Sequence, residues 1–330
     1  TTAGSITALG YNAGNNLTTG ADTTIVGAYA GDAITTGGQN TVIGSGALSD
    51  TTTGGGNTAV GKSALAVNTT GANNVAVGSQ ALDANTTASN NVAVGYGALG
   101  ANTTGAQNVA VGTSAGDAIT TASNCTLIGH NAGGAVVAGT NTTAIGYNAG
   151  DAITDQVNNV MLGVNAGTAA TSDANTLIGT GAGELITTGE KNTILGRFDG
   201  NSNNLDIRTE NKFVVLSDGD GIPRGIFDGT GQFMVNFGQG SDVDGNIGAS
   251  SGSTTFGVQK TDGIRIAQPG TTYINRYSDG IIIYFRSAGA TEGSISVSGS
   301  TVSYNGGHLS RWSQLADNTK DTSIVKGTGN

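Results

Sequence analysis

The sequence predicts an all-β protein built mainly as a parallel β-solenoid, and three observations predict it. A short aliphatic run ending in glycine recurs every 17 residues through residues 1–196. Glycine is 57 of 330 residues and proline only 2, with charged residues at 11%, far below the quarter usual in globular domains. No 3.6-residue apolar period survives in a stretch ruled by Thr, Asn and Gly, so helices are excluded. Low charge argues against ordinary disorder, and glycine lacks the every-third spacing of collagen.

The unit is read column by column. Its closing glycines are Gly10, Gly27, Gly44, Gly61, Gly78, Gly95, Gly112, Gly129, Gly146, Gly163, Gly179 and Gly196, each 17 residues from the last except for one gap of 16. The residue before the glycine is always a large aliphatic, from Leu9 and Val26 to Ile178 and Leu195. The one before that is also apolar, as in Ala59, Ala76, Ala93, Ala110, Leu127 and Met161. Adjacent strand residues point to opposite faces, and a strand apolar on both faces is buried on both. One column therefore fills the interior, and the other packs against something else, most simply another copy of the chain.

Alanine stands three residues after the glycine in eleven coils, including Ala13, Ala47, Ala81 and Ala115, followed by Leu (Leu48, Leu65, Leu82, Leu99) or Gly (Gly31, Gly116, Gly150). So small a side chain predicts a narrow interior. Paired threonines such as Thr35-Thr36 and Thr69-Thr70 come next, and an Asn opens the following strand, as at Asn40, Asn57, Asn74, Asn91, Asn108, Asn159, Asn175 and Asn192. Stacked Asn and Thr columns predict side-chain ladders between coils. Two short strands and two turns fit within 17 residues, and twelve coils at about 4.8 Å make a rod roughly 55 Å long.

After Gly196 the pattern stops, with Asp199 where alanine belongs, and Asn201-Ser-Asn-Asn204 reads as a linker. Apolar runs then alternate with Asp-Gly pairs: Phe213–Leu216, Asp220-Gly221, Gly225–Phe227, Asp228-Gly229, Phe233–Val235. Asp262-Gly263 precedes Ile264–Ile266, and Asp279-Gly280 precedes Ile281–Phe285. Asp-Gly between apolar runs signals hairpins. The expected organisation is a shaft over 1–199, an antiparallel β-rich region over 200–305 intertwined in a trimer, and an irregular segment over 306–330.

Units such as Asn57-Thr-Ala-Val-Gly61, Asn91-Val-Ala-Val-Gly95 and Thr142-Thr-Ala-Ile-Gly146 resemble the head repeat of trimeric autotransporter adhesins, which also occurs in bacteriophage tail fibres. The resemblance implies a left-handed parallel β-roll, trimeric about its long axis; these units are longer than those typical of adhesin heads. Gly293-Ser-Ile-Ser-Val-Ser-Gly-Ser-Thr-Val-Ser-Tyr-Asn305 resembles the segment leading into tail-fibre chaperone modules, and His308-Leu-Ser-Arg-Trp-Ser-Gln-Leu315 is similar to a variant of that region. The usual Ser-Asp-Tyr-Arg-Leu-Lys start of such a chaperone is replaced from Gly306 onward. Heptads and a membrane anchor, which an adhesin would carry, do not appear.

Chemistry is sparse. Residues 1–196 hold two basic side chains, Lys62 and Lys191, against ten acidic ones, and the formal net charge of the chain is −10. Such a surface repels phosphate backbones and argues against nucleic acid. No run is long enough for a transmembrane helix and no signal peptide is visible, so membrane insertion is not expected. The chain starts without Met inside its own repeat and reads as part of something longer. Cys125, the single cysteine, reads as a small buried residue. His130 and His308 read as solvated, without a nucleophile motif or metal spacing beside them.

Asp32, Asp83, Asp117, Asp151 and Glu184 share one column and predict a solvated acidic ridge that discourages aggregation, in preference to a cation site. Asp242-Val-Asp-Gly-Asn246 lacks the glycine and closing glutamate of a calcium loop. No cofactor or metal is expected. Ice binding by the threonine column would need outward Thr at alternating positions, whereas these are adjacent.

The function expected is a homotrimeric tail-fibre segment of a virion, not an enzyme, that attaches to the host surface through a glycan or outer-membrane protein and joins other tail or baseplate proteins. The receptor-contacting candidates are Tyr273, Tyr277, Tyr284 and Trp312, aromatics suited to stacking on sugars. The alternatives are a bacterial surface adhesin head and a polysaccharide-degrading tail spike using paired carboxylates.

Overall fold

Each unit of the repeat forms one coil carrying one short strand, and the strands stack in parallel. The computed structural model describes residues 4–231, 233–235, 280–287, 290–298 and 301–306, and every regular element among them is a strand. The stack begins with β1 (Ile6–Leu9), β2 (Thr23–Val26), β3 (Thr41–Ile43), β4 (Thr58–Val60), β5 (Val75–Val77) and β6 (Val92–Val94). It continues with β7 (Val109–Val111), β8 (Thr126–Ile128), β9 (Thr143–Ile145), β10 (Val160–Leu162), β11 (Thr176–Ile178) and β12 (Thr193–Leu195). Partners lie 17 residues apart, as in Ala76↔Ala93, except at β10–β11, where Val160 pairs with Thr176.

The second strand expected in each coil is absent. Three residues per coil adopt left-handed backbone, for example Ser63 (φ 57°), Leu65 (φ 52°) and Asn73 (φ 56°). Such residues cannot lie in an extended run, so the rest of each coil is a chain of turns. The corner glycine is needed twice over. Gly78 has φ 139°, and a side chain there would collide with the carbonyl oxygen of Gly95 in the next coil.

The middle residue of each three-residue strand points inward. Ala59, Ala76, Ala93, Ala110, Leu127, Ala144, Met161, Leu177 and Ile194 are fully buried and share one core with the alanines that follow each corner. Two kinds of coil fill the remaining space. Where the fourth residue after the corner is Leu48, Leu65, Leu82 or Leu99, that side chain enters the core and the residue three further on is polar: Thr51, Asn68, Asn85 or Asn102. Where it is glycine, the filler comes from the later position: Ile34, Ile119, Val136, Ile153 or Ile186. A methyl built on Gly116 would lie 3.2 Å from Ile119 Cδ1 and 3.1 Å from Leu99 Cδ2. The two fillers therefore compete for one space. The leucines hold a left-handed backbone that costs roughly 1–2 kcal/mol each, offset by burial of about 1.5–3 kcal/mol per side chain.

Buried asparagines join the coils. The Oδ1 atoms of Asn40, Asn57, Asn74 and Asn91 accept the backbone N–H of the asparagine one coil on at 2.9–3.0 Å. Their Nδ2 groups donate to carbonyls 14 residues ahead at 2.9–3.0 Å. In the threonine column the hydroxyls of Thr35, Thr69, Thr86 and Thr103 donate to the carbonyl one coil on, not to one another.

The parallel stack runs on past residue 199. Strand β15 (Val214–Ser217) pairs in parallel with β12 at an offset of 21, Thr193↔Val214. The extra residues form β13 (Asn201–Ser202) and β14 (Leu205–Asp206), an antiparallel hairpin whose turn residues Asn203 and Asn204 have φ 53° and 62°. The Asn-Asn pair thus makes a tight turn where a linker was expected, because asparagine tolerates left-handed backbone. Phe198, fully buried, fills this last coil with Ile207, Val215 and Ile226. Strands β16 (Pro223–Phe227) and β17 (Phe233–Val235) then add in antiparallel fashion. The Asp220-Gly221 and Asp228-Gly229 hairpins form as the sequence predicts.

The chain divides into two units, 1–254 and 255–330. In the second, β18 (Gly280–Ser287), β19 (Ala290–Ser298) and β20 (Thr301–Gly306) make an antiparallel three-stranded sheet in that order. Asp262-Gly263 and Ile264–Ile266 lie outside the described residues.

Candidate interaction surface

The outward residues of the stacked strands form two columns along the coils. One is the aliphatic residue before each corner glycine; the other, two positions earlier, holds Thr or Val. Both flank the buried middle residue, so outward direction follows from the strand pleat. The aliphatic column stays partly or largely open throughout: Ile43, Val111, Leu162 and Leu195 are exposed, and Val60, Val77, Val94 and Ile128 are half-buried. Leu195 pairs with Leu216, itself 43% exposed, so the column passes into the last coil. In β5–β7 both outward columns are valine: Val75, Val77, Val92, Val94, Val109 and Val111. Of the two apolar columns, which the sequence did not assign to inside or outside, the alanine-rich one is interior and the aliphatic one is left outside.

Exposed aromatics stand beside the corners. Tyr11 and Tyr29 meet edge to face at 5.3 Å, and His130 stacks on Tyr147 at 5.4 Å with 18° between the rings. Tyr96 and Val164 occupy the same column and are exposed. Sequence reading passed over these rings, although an aromatic one residue after the repeat glycine (Tyr11, Tyr96, His130, Tyr147) or two after it (Tyr29) was the visible signal. His130 is exposed, as expected, but packed on a tyrosine.

The acidic column is spread along the stack. Asp83, Asp117 and Asp151 alternate with Gly100 and Gly134, so successive carboxylates are two coils apart. Burial raises the Asp83 carboxyl above its ordinary value against backbone hydrogen bonds that lower it. Burial also raises Asp117, with Ser114 opposing and the Asp151 charge adding a little. Asp151 accepts from Asn131 Nδ2 at 2.8 Å. Among the described residues no three His, Cys, Asp or Glu side chains converge as a metal site. Cys125 sits in the asparagine column just before β8, and burial pushes its thiol up.

Of the four receptor-contacting candidates, Tyr284 lies in β18 opposite Ser294. Tyr273, Tyr277 and Trp312 lie outside the described residues, as do Asp242–Asn246 and His308. No helix among the described residues is long and apolar enough to cross a membrane. No protein-family model, curated protein or solved structure matches the chain.

Proposed function

We propose that this chain is a structural segment of a homotrimeric fibre, a tail fibre of a virion, in which three solenoids pack through their outward aliphatic columns. The observation that carries the reading is the continuity of that column from Leu9 to Leu216. Isolated exposed aliphatics are ordinary on protein surfaces, but a contiguous line of them marks an interface. Covering about a dozen half-exposed side chains contributes on the order of 10 kcal/mol. The shaft is the rigid spacer, and attachment to a host glycan or outer-membrane protein comes from the C-terminal half, with Tyr273, Tyr277, Tyr284 and Trp312 as the proposed contacts. Three weak sites on one fibre act through avidity and need no single deep pocket.

Light scattering on the purified chain tests the assembly. The expected mass is three times that of the chain, and Val77→Lys with Val94→Lys shifts it to monomer; a stable wild-type monomer overturns the reading. A glycan array scored for both binding and cleavage tests attachment, and release of short oligosaccharides would replace the structural role with a hydrolytic one.

A further inference from the structure

Two independent ladders fail in the same part of the stack, and a third has ended two coils before it. The buried asparagine ladder runs from Asn40 to Asn108, whose Oδ1 still accepts the N–H of Cys125 at 3.0 Å. At position 125 a thiol replaces the amide, 3.4 Å from the Gly139 carbonyl, and the N–H of Thr142, which an asparagine Oδ1 would accept, faces its sulfur, while Asn141 N–H donates to the Ser123 carbonyl at 3.2 Å. Sulfur is a poor donor and acceptor. In the next coil Thr142 is fully buried and its Oγ1 has no hydrogen-bond partner. The ladder resumes only at Asn159, which accepts from Asn175 N–H at 2.8 Å.

The third ladder, Thr51–Asn68–Asn85–Asn102, ends two coils before this region. Asn85 Nδ2 donates to Asn68 Oδ1 at 2.8 Å and Asn102 Nδ2 to Asn85 Oδ1 at 3.1 Å, but Asn102 Oδ1 is buried and unpartnered, because Ile119 follows it in the column. In the threonine column Val137 has no hydroxyl to donate onward, and the bond it receives from Thr120 is long, 3.4 Å. The strand bonds themselves remain, with Thr126 N–H to Thr142 O at 2.9 Å and Thr143 N–H to Asn159 O at 2.8 Å. The His130–Tyr147 stack and the Asn131–Asp151 bond do cross one of these boundaries. They lie nearer the surface, where water competes, and replace little of what a buried amide contributes.

We propose that the coil from Gly129 to Ile145 is a built-in yield point, where the shaft opens first away from its ends. In a repeat stack each coil contacts only its neighbours, so stability is a sum of local interfaces and the weakest one opens before the rest. Missing buried hydrogen bonds on both sides of one coil single it out while the fold stays continuous.

Hydrogen exchange on the full chain tests this. Amides of β8 and β9 are expected to exchange on the order of tenfold or more faster than those of β5 and β6. Cys125→Asn with Thr142→Asn, which restores the amide column, is expected to slow β8 and β9 to the level of β5 and β6. Cys125 gives a second readout in the unsubstituted chain, because its thiol should react with a disulfide reagent faster than the chain unfolds globally. The proposal is overturned if β8 and β9 exchange as slowly as β5 and β6, if the paired substitution folds but leaves their exchange unchanged, or if thiol labelling only tracks global unfolding.

Discussion

The coils with leucine in the fourth position after the corner and those with glycine there share one backbone but build their cores from opposite ends. In the stretch of Leu48, Leu65, Leu82 and Leu99, a strained leucine enters the core and leaves room for a buried polar ladder three residues later. In the stretch of Gly116, Gly133 and Gly150, the strain disappears, isoleucine or valine fills the space from the later position, and the polar ladder is gone. The trade is between an extra amide ladder held by strained backbone and a relaxed backbone over a purely apolar filling. Repeats that look alike in their strands can therefore differ in how firmly they hold one another.

That comparison can be broken or sharpened by substitution. The largest effect is expected where both coil types are identical. Gly78→Ala and Gly146→Ala each place a side chain against the next coil's carbonyl at a φ of 139°. Each should cost about 3 kcal/mol or more in denaturant unfolding, with little difference between them. A tolerated Gly78→Ala would show that the corner can relax away from the next coil's carbonyl.

Next in size is a swap of coil type. Leu99→Gly alone should cost roughly 2–5 kcal/mol by emptying the core. Adding Asn102→Ile should return most of it, because it moves the boundary between coil types back by one coil and transfers the orphaned amide oxygen from Asn102 to Asn85. A double-mutant cycle by thermal unfolding measures the coupling. Additive effects would mean that the two positions do not share one space.

The smallest effect concerns Asp83 and Asp117, one in each coil type, whose carboxyls are both raised by burial. A raised folded-state pKa favours the protonated form, so this contribution is fully present below the unfolded value near 3.8 and is lost as pH rises through the folded value. Asp83→Asn and Asp117→Asn should therefore be slightly more stable than the parent at pH 7 and no different below pH 3. Equal melting temperatures at both pH values would remove burial as the dominant influence.

Most of the shaft was legible because its period repeats one solution. The strand positions, the inward alanines, the asparagine ladder and the Asp-Gly hairpins at residues 220–221 and 228–229 follow from residue type and spacing. The single strand per coil was not, because leucine at 48, 65, 82 and 99 gives no warning of left-handed backbone. The complementarity of the fourth and seventh positions was visible in pairs such as Leu82 with Asn85 and Ile119 with Gly116, but only as covariation whose meaning needs the shared space. The coil after Gly196 escaped notice because an inserted hairpin breaks the count of 17 while the strand register survives. The candidate contact residues were chosen for ring chemistry in the C-terminal half, whereas the rings at the corners of the shaft, Tyr96 and Tyr147 among them, were hidden in a repeat read as purely structural.

Length changes in the stack obey a rule of place. The short coil omits its residue, and the long coil adds its hairpin at 201–206, only in the arc leading from a corner to the next strand; the strands themselves keep their pairing. The arc is thus an editable margin on a fixed spine. Loops of new sequence could be grafted there, one level at a time, and the surface presented by such a rod could diversify without any change in how it is stacked.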